Sequence, residues 1–146
     1  MIPNRVVLDT NVCLDLFVFR DPRWHALLTA LRDGSVQAVT RADCRREWQI
    51  VLGYAHLRLD DGARERCEAD FDALIRLLPE DELAPLAEIR LPLCRDPDDQ
   101  KFLELARDAR AHTLITKDKA LLKLARKTAK SGLFHIVAPD AWPLAA

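Results

Sequence analysis

Arg5-Val6-Val7-Leu8-Asp9-Thr10-Asn11 joins a short apolar run to three polar residues near the N-terminus. Val6, Val7 and Leu8 form a short apolar run of β-formers, the pattern of a strand buried on both faces. Shortness and β-branching set such a run apart from a fragment of buried helix. It breaks off at Asp-Thr-Asn, and an amphipathic stretch follows. A buried strand that delivers a carboxylate to its C-terminal tip, with a helix next, is where open α/β sheets place ligand sites. Asp9 is thus the first candidate functional residue, because a charge ending an apolar strand needs a partner or a cation.

The remaining chain narrows the chemistry. Its 146 residues suit one domain spanning 1–146, long enough to bury roughly two-thirds of the unfolded surface. A hydrophobic content of 49% beside 31% charged residues describes a soluble globular chain. No apolar run reaches membrane-span length and no basic-then-apolar leader opens the sequence, so the cytoplasm is the expected compartment, with no membrane partner. Cys13, Cys44, Cys67 and Cys94 are widely spaced with no Cys-x-x-Cys pair, which reads as buried thiols in a reducing compartment. The histidines show no ligand spacing, the glycines are unpaired, and Ser35 and Ser131 sit in no nucleophile motif. Carboxylates remain as the candidates for chemistry. The net charge of −1 conceals an asymmetry: residues 60–88 hold ten acids against three arginines, while 113–132 hold five lysines and one arginine against Asp118. Such blocks are solvated helix faces or, for the basic one, a guide for a phosphate backbone.

Strands are expected at Val6–Leu8, Val36–Val39, Thr113–Thr116 and Phe134–Val137, alternating with helices. Asp21-Pro22 opens a helix with Trp24, Leu27, Leu28 and Leu31 inward, ended by Asp33-Gly34. Thr40-Arg41-Ala42-Asp43 has capping-box spacing before a helix carrying Arg45, Arg46, Glu47 and Trp48. Asp60-Asp61 caps a longer helix whose seam is Cys67, Phe71, Leu74 and Leu78. Pro79 to Pro92 is a connection with room for a short helix near Leu83–Ala87. Asp96-Pro97-Asp98-Asp99 opens a helix with Phe102, Leu103, Leu105, Ala106 and Ala109 inward, and Lys119–Lys130 is a basic amphipathic helix. This alternation predicts an α/β fold with a mainly parallel sheet covered on both faces.

In a parallel sheet all strand ends open on one edge, so Asp9 and Asp118 share a rim, with Glu47 on its flank if the crossover is right-handed. Gathered carboxylates repel unless a cation joins them. Oxygen ligands without a His or Cys cluster favour Mg²⁺ or Mn²⁺ over zinc, and the matching reaction class is metal-assisted phosphodiester hydrolysis. Each acid also has an ordinary reading. Asp96 suits an N-cap, Asp98 and Asp99 suit a first helical turn, Asp118 can cap the next helix, and Glu47 can pair with a neighbouring base. Thr10, Asn11 and Thr116 either orient the ligands or make local turn bonds. Arg45, Arg46, Lys117 and Lys119, with Arg41 and Lys123, neutralise phosphates or are plain surface charge. Trp48 and Phe102 read as core, with base stacking as the alternative for Trp48.

Four segments together resemble the PIN-domain nucleases: Val6-Val7-Leu8-Asp9-Thr10-Asn11, Glu47 on the third helix, Arg95-Asp96-Pro97-Asp98-Asp99-Gln100-Lys101-Phe102-Leu103, and Leu114-Ile115-Thr116-Lys117-Asp118. Their order and separation are similar to the VapC-like branch, the toxin components of toxin–antitoxin systems, over essentially the whole chain. The resemblance implies a three-layer α/β/α sandwich around a mainly parallel sheet and a Mg²⁺- or Mn²⁺-dependent endoribonuclease acting on RNA. It assigns Asp9, Glu47, Asp99 and Asp118 to an acidic metal site, with Asp96 as an additional acid. It also implies a homodimer restrained by a small antitoxin protein. Gln100 stands where the branch often has a third consecutive Asp, which leaves Asp98 and Asp99 as alternatives for one ligand. Lys117 stands where a Gly is common. The rival readings are a non-cleaving RNA-binding or scaffold protein on the same fold, and a nuclease acting on DNA or flap structures.

Overall fold

The N-terminal apolar run forms strand β1 (Arg5–Leu8), and helix α1 (Thr10–Phe17) follows at once, with Asp9 as its N-cap. The structure, a computed structural model, describes residues 4–83 and 89–142. Asp21 caps a 3₁₀ turn at Pro22–Trp24, and only then does α2 (His25–Asp33) begin. Gly34 ends it in the left-handed region at φ 82°, where a Cβ would meet no atom within 4 Å. Replacing it costs backbone strain alone: Gly34→Ala is expected to lose about 1–2 kcal/mol, read by urea unfolding.

Strand β2 (Gln37–Thr40) leads into α3 (Ala42–Leu52). The expected capping box does not form. Thr40 is the last residue of β2 and pairs with Leu77, so Arg41 becomes the N-cap and binds Asp43 at two points, 2.8 and 2.7 Å. Helix α4 (Asp61–Leu74) is capped by Asp60, which accepts from Ala63 N at 2.7 Å. It stops earlier than its seam suggests, because Ile75–Leu77 forms β3 on the open edge of β2. Leu78 is buried, but in the core on the other side of the sheet from Cys67 and Phe71. The four-residue seam therefore joins two faces that only looked continuous along the chain. The expected helix at Leu83–Ala87 falls largely on residues outside those described, and Glu80–Glu82 form a 3₁₀ turn.

A 3₁₀ turn at Pro97–Asp99 opens α5 (Gln100–Asp108), followed by β4 (Thr113–Ile115). The basic stretch is two helices rather than one: α6 (Lys119–Leu122) and α7 (Ala125–Lys130). Between them Leu124 N bonds back three residues to Leu121 O, tightening the turn and keeping both leucines buried. Strand β5 (His135–Val137) closes the sheet.

Among the described residues five strands form one sheet in the order β3-β2-β1-β4-β5, every pairing parallel. Side chains alternate across it as the pleat requires. Val6, Leu8, Ala38, Ile75 and Ile115 face one core, and Val7, Val39, Leu114 and Ile136 the other. Helices cover both faces, giving the three-layer α/β/α sandwich. Helix α3 spans the two cores, with Cys44 in one and Trp48 and Leu52 in the other. Trp48, 2% exposed, stacks on Phe71 at 5.2 Å and meets Phe17 edge-on at 6.1 Å, so it is core and presents no face to a base. All four cysteines are buried and unpaired. Among the described residues no helix is long and apolar enough to cross a membrane.

Candidate functional site

Strand order reverses direction between β1 and β4, and the crevice beyond the carboxyl ends there is where open α/β sheets bind ligands. The residues following those two strands are Asp9 and Thr116-Lys117-Asp118. A cleft of about 300 Å³ opens at this point, lined by Asp9, Thr10, Asn11, Glu47, Asp99 and Asp118 together with Leu14, Val51, Tyr54, His56 and Phe102. The four acids come from four separate elements.

Each acid is held by a specific neighbour. Asp9, 4% exposed, takes the Val12 N–H on Oδ1 at 2.9 Å and the Thr116 hydroxyl on Oδ2. Thr116, fully buried, also accepts from Asp118 N at 2.9 Å, so one hydroxyl ties both strand-end acids together. Asp118 caps α6, its Oδ1 accepting from Ala120 N at 2.7 Å and Leu121 N at 3.3 Å. Glu47 lies between α1 and α5, accepting from the Thr10 hydroxyl and pairing with Lys101 Nζ at 2.9 Å. Asp99 shares a hydrogen bond with Asp118. Capping and cleft-lining are thus compatible roles for Asp9 and Asp118.

Crowding and burial show in the protonation of these groups. Burial raises the Asp9 carboxyl from 3.8 to about 6, with the Asp118 charge adding to it, against the lowering effect of the Thr116 and Val12 bonds. Asp99 rises from 3.8 to about 7 through burial and its bond to Asp118, then the charges of Asp118, Asp96 and Asp9. Protons here moderate a repulsion that a cation would otherwise relieve. The all-oxygen donor set suits a hard divalent ion. Among the described residues no three His, Cys, Asp or Glu groups are gathered about one point as they stand. Lys101 and Thr10 hold Glu47, and Asp118 helps keep the proton on Asp99.

Other residues singled out in the sequence are placed differently. Asp96 is exposed and lies outside the lining, its side chain accepting from Asp98 N at 3.0 Å. Asp98 is likewise exposed and outside the lining, whereas Asp99 lines the cleft. Asn11 lines the cleft but donates to no carboxylate among the described residues. Arg45 turns to Asp72 of α4 with bonds of 3.0 and 2.8 Å. Lys117 reaches Asp15 at 2.7 Å, and Asp15 also takes the Trp24 indole N–H at 3.1 Å. Lys117 itself is exposed, but its bond to the buried Asp15 fixes the loop after β4 against α1, which gives the lysine a structural job. Arg46 and Lys119 are exposed.

Three participants are not named by motif reading. Tyr54 and His56 sit in a turn with no periodic signal. Lys101 does leave one trace: a cation in the first turn of a helix opposes the dipole and implies an anionic partner, here Glu47. Thr116→Val, nearly the same shape without the hydroxyl, should strip Asp9 of a donor and Asp118 N of its acceptor. A loss of about 1–3 kcal/mol in urea unfolding is expected, with the Asp9 carboxyl raised further.

The fold is a doubly wound α/β/α domain with an acid-lined cleft at its switch point. The family model of the PIN domain matches residues 5–120, and the chain belongs to that family. PIN domains are generally nucleases, so the chain carries a nuclease fold. No curated protein matches the chain.

Proposed function

We propose that this protein is a Mg²⁺- or Mn²⁺-dependent endoribonuclease that hydrolyses RNA phosphodiester bonds. The observation that carries the reading is the convergence of Asp9, Glu47, Asp99 and Asp118 on one cleft at the switch-point edge. These four would hold the ion, which when bound supplies Lewis acidity toward the phosphate and lowers the pKa of a water. Thr116 keeps Asp9 and Asp118 in register, and Thr10 holds Glu47. Lys101 does not line the cleft but bonds Glu47, which does, so the lysine is placed to meet a phosphate when the carboxylate turns away. No side-chain nucleophile is required.

The biological setting proposed for this activity is the toxin of a toxin–antitoxin pair, a cytoplasmic homodimer silenced by a small protein. Its support is the likeness of the four acidic segments to that branch, and for the compartment the unpaired thiols. The test of the activity is cleavage of labelled single-stranded RNA by wild type and Asp118→Asn with Mg²⁺, Mn²⁺ or chelator. Cleavage confined to wild type with metal is expected. RNA binding without turnover in either ion would favour a scaffold, and turnover that survives chelation would end the metal-dependent reading.

A further inference from the structure

The cleft lining is of two kinds. Besides the acids it includes Tyr54 and His56, with Leu14, Val51 and Phe102. Tyr54 is 48% exposed, and its ring lies 5.9 Å from that of His56 with a 40° tilt. Both rings sit where α3 runs out into a 3₁₀ turn, Ala55–Leu57. The backbone there is pinned: Tyr54 N donates to Val51 O at 3.0 Å, and Tyr54 O accepts from Leu57 N at 3.1 Å. Neither side chain makes a hydrogen bond to protein among the described residues. The core beneath is already closed by Trp48 and Phe71. The pair thus belongs to neither core, yet it lines an acid-lined cleft.

We propose that Tyr54 and His56 form a stacking platform for one unpaired base of single-stranded RNA, whose adjoining phosphate lies at the acid wall. Stacking on an aromatic face needs no charge, so it is the kind of contact that binds a nucleotide beside carboxylates that repel its phosphate. The volume of about 300 Å³ is at the small end for a ligand site, room for a single nucleotide unit and not for a duplex. Bases inside a duplex are already stacked on each other and offer the platform nothing, so the wall selects single strands. Backbone pinning places the rings before the base arrives, which lowers the ordering cost of binding. The inference rests on the endoribonuclease reading for the phosphate end of the ligand only.

Binding and turnover separate the two. A fluorescent single-stranded RNA, the same strand with one abasic residue at each successive position, and the corresponding duplex are titrated in Ca²⁺ against wild type, Tyr54→Phe, Tyr54→Ala and His56→Ala. Cleavage is followed in parallel with Mg²⁺. The expected result is that Tyr54→Ala weakens the intact single strand about tenfold or more, while Tyr54→Phe binds as wild type does. One abasic position should reproduce that loss in wild type and add nothing to it in Tyr54→Ala, and the duplex should bind weakly to all. In kinetics the change should fall on KM more than on kcat. Equal binding of intact and abasic strands by wild type, or wild-type binding by a folded Tyr54→Ala, would overturn the platform even if Mg²⁺ cleavage persists. Loss of turnover in every metal with the stacking differences intact would instead overturn the nuclease reading and leave the platform standing.

Discussion

Asp9→Asn is expected to abolish RNA cleavage, by about 10³-fold or more, and at the same time to stabilise the metal-free protein above pH 6. Both effects come from one feature, a carboxyl that is 4% exposed at the tip of β1. Its pKa is about 6 in the folded chain against an ordinary 3.8. Below pH 3.8 the group is protonated whether folded or unfolded and has no effect on stability. Between 3.8 and 6 the unfolded chain ionises while the folded one keeps its proton, so stability falls as pH rises. Above that window the full cost remains, about 3 kcal/mol at 1.36 kcal/mol for each pH unit separating the folded and unfolded values. Asn carries no charge and still offers an acceptor to the Val12 N–H, so the variant escapes this cost. Urea unfolding of both proteins in chelator from pH 4 to 7 should show their difference growing through the window and then levelling. A difference that stays flat across it would mean that the Asp9 carboxyl is not desolvated. Asp99, raised to about 7, acts in the same direction on the wild-type curve. A site that costs stability without its ion is the expected compromise between activity and fold.

The largest loss of stability should come from Trp48→Ala, about 3–5 kcal/mol by urea or thermal unfolding. Trp48 is 2% exposed and stacks on Phe71 at 5.2 Å, with Phe17 against its edge. Its removal opens a cavity under three helices, because Phe17, Trp48 and Phe71 belong to α1, α3 and α4. Trp48→Phe should cost clearly less than Ala. The indole N–H is buried with no hydrogen-bond partner among the described residues, and deleting an unsatisfied donor offsets part of the lost packing. Glu47 precedes Trp48 on α3, so the Ala variant should also bind Mn²⁺ more weakly, although no metal ligand has changed. Equal losses for Phe and Ala would contradict the packing explanation.

How much of this was legible depends on whether a residue's partners are near in sequence. Val6 to Leu8 are buried by both sheet faces, and their β-branched run says so directly. Phe102, Leu103, Leu105, Ala106 and Ala109 mark α5 by period alone, and all are buried. Asp9, Asp99 and Asp118 are legible because each stands where a strand or a turn ends and a helix begins, whereas Glu47 lies inside α3 and has no such local mark. Strand β3 was not visible: Ile75 to Leu77 continue a helical seam, and only pairing with Ala38 to Thr40 makes them a strand. Thr40 could not be read as the end of β2 for the same reason, since its partner Leu77 lies in that hidden strand. Trp48 looked like either core or stacking surface, and burial under Phe71 decides for core. The exposed aromatic wall sits six residues further on, at Tyr54, in a turn that has no period to betray it.

Four acids scattered along the chain are proposed to hold one divalent ion. Mn²⁺ binding followed by calorimetry at about pH 6.5, in two buffers of different ionisation heat, reads this out, since ligand carboxyls must lose their protons when the ion enters. Asp9 at about 6 and Asp99 at about 7 are partly protonated there, so saturable binding with proton release is expected. Asp99→Asn should weaken the binding and diminish the release. A folded wild type that takes up no Mn²⁺, or one that binds it no better than a chain with Asp9, Asp99 and Asp118 all replaced by Asn, would contradict the claim.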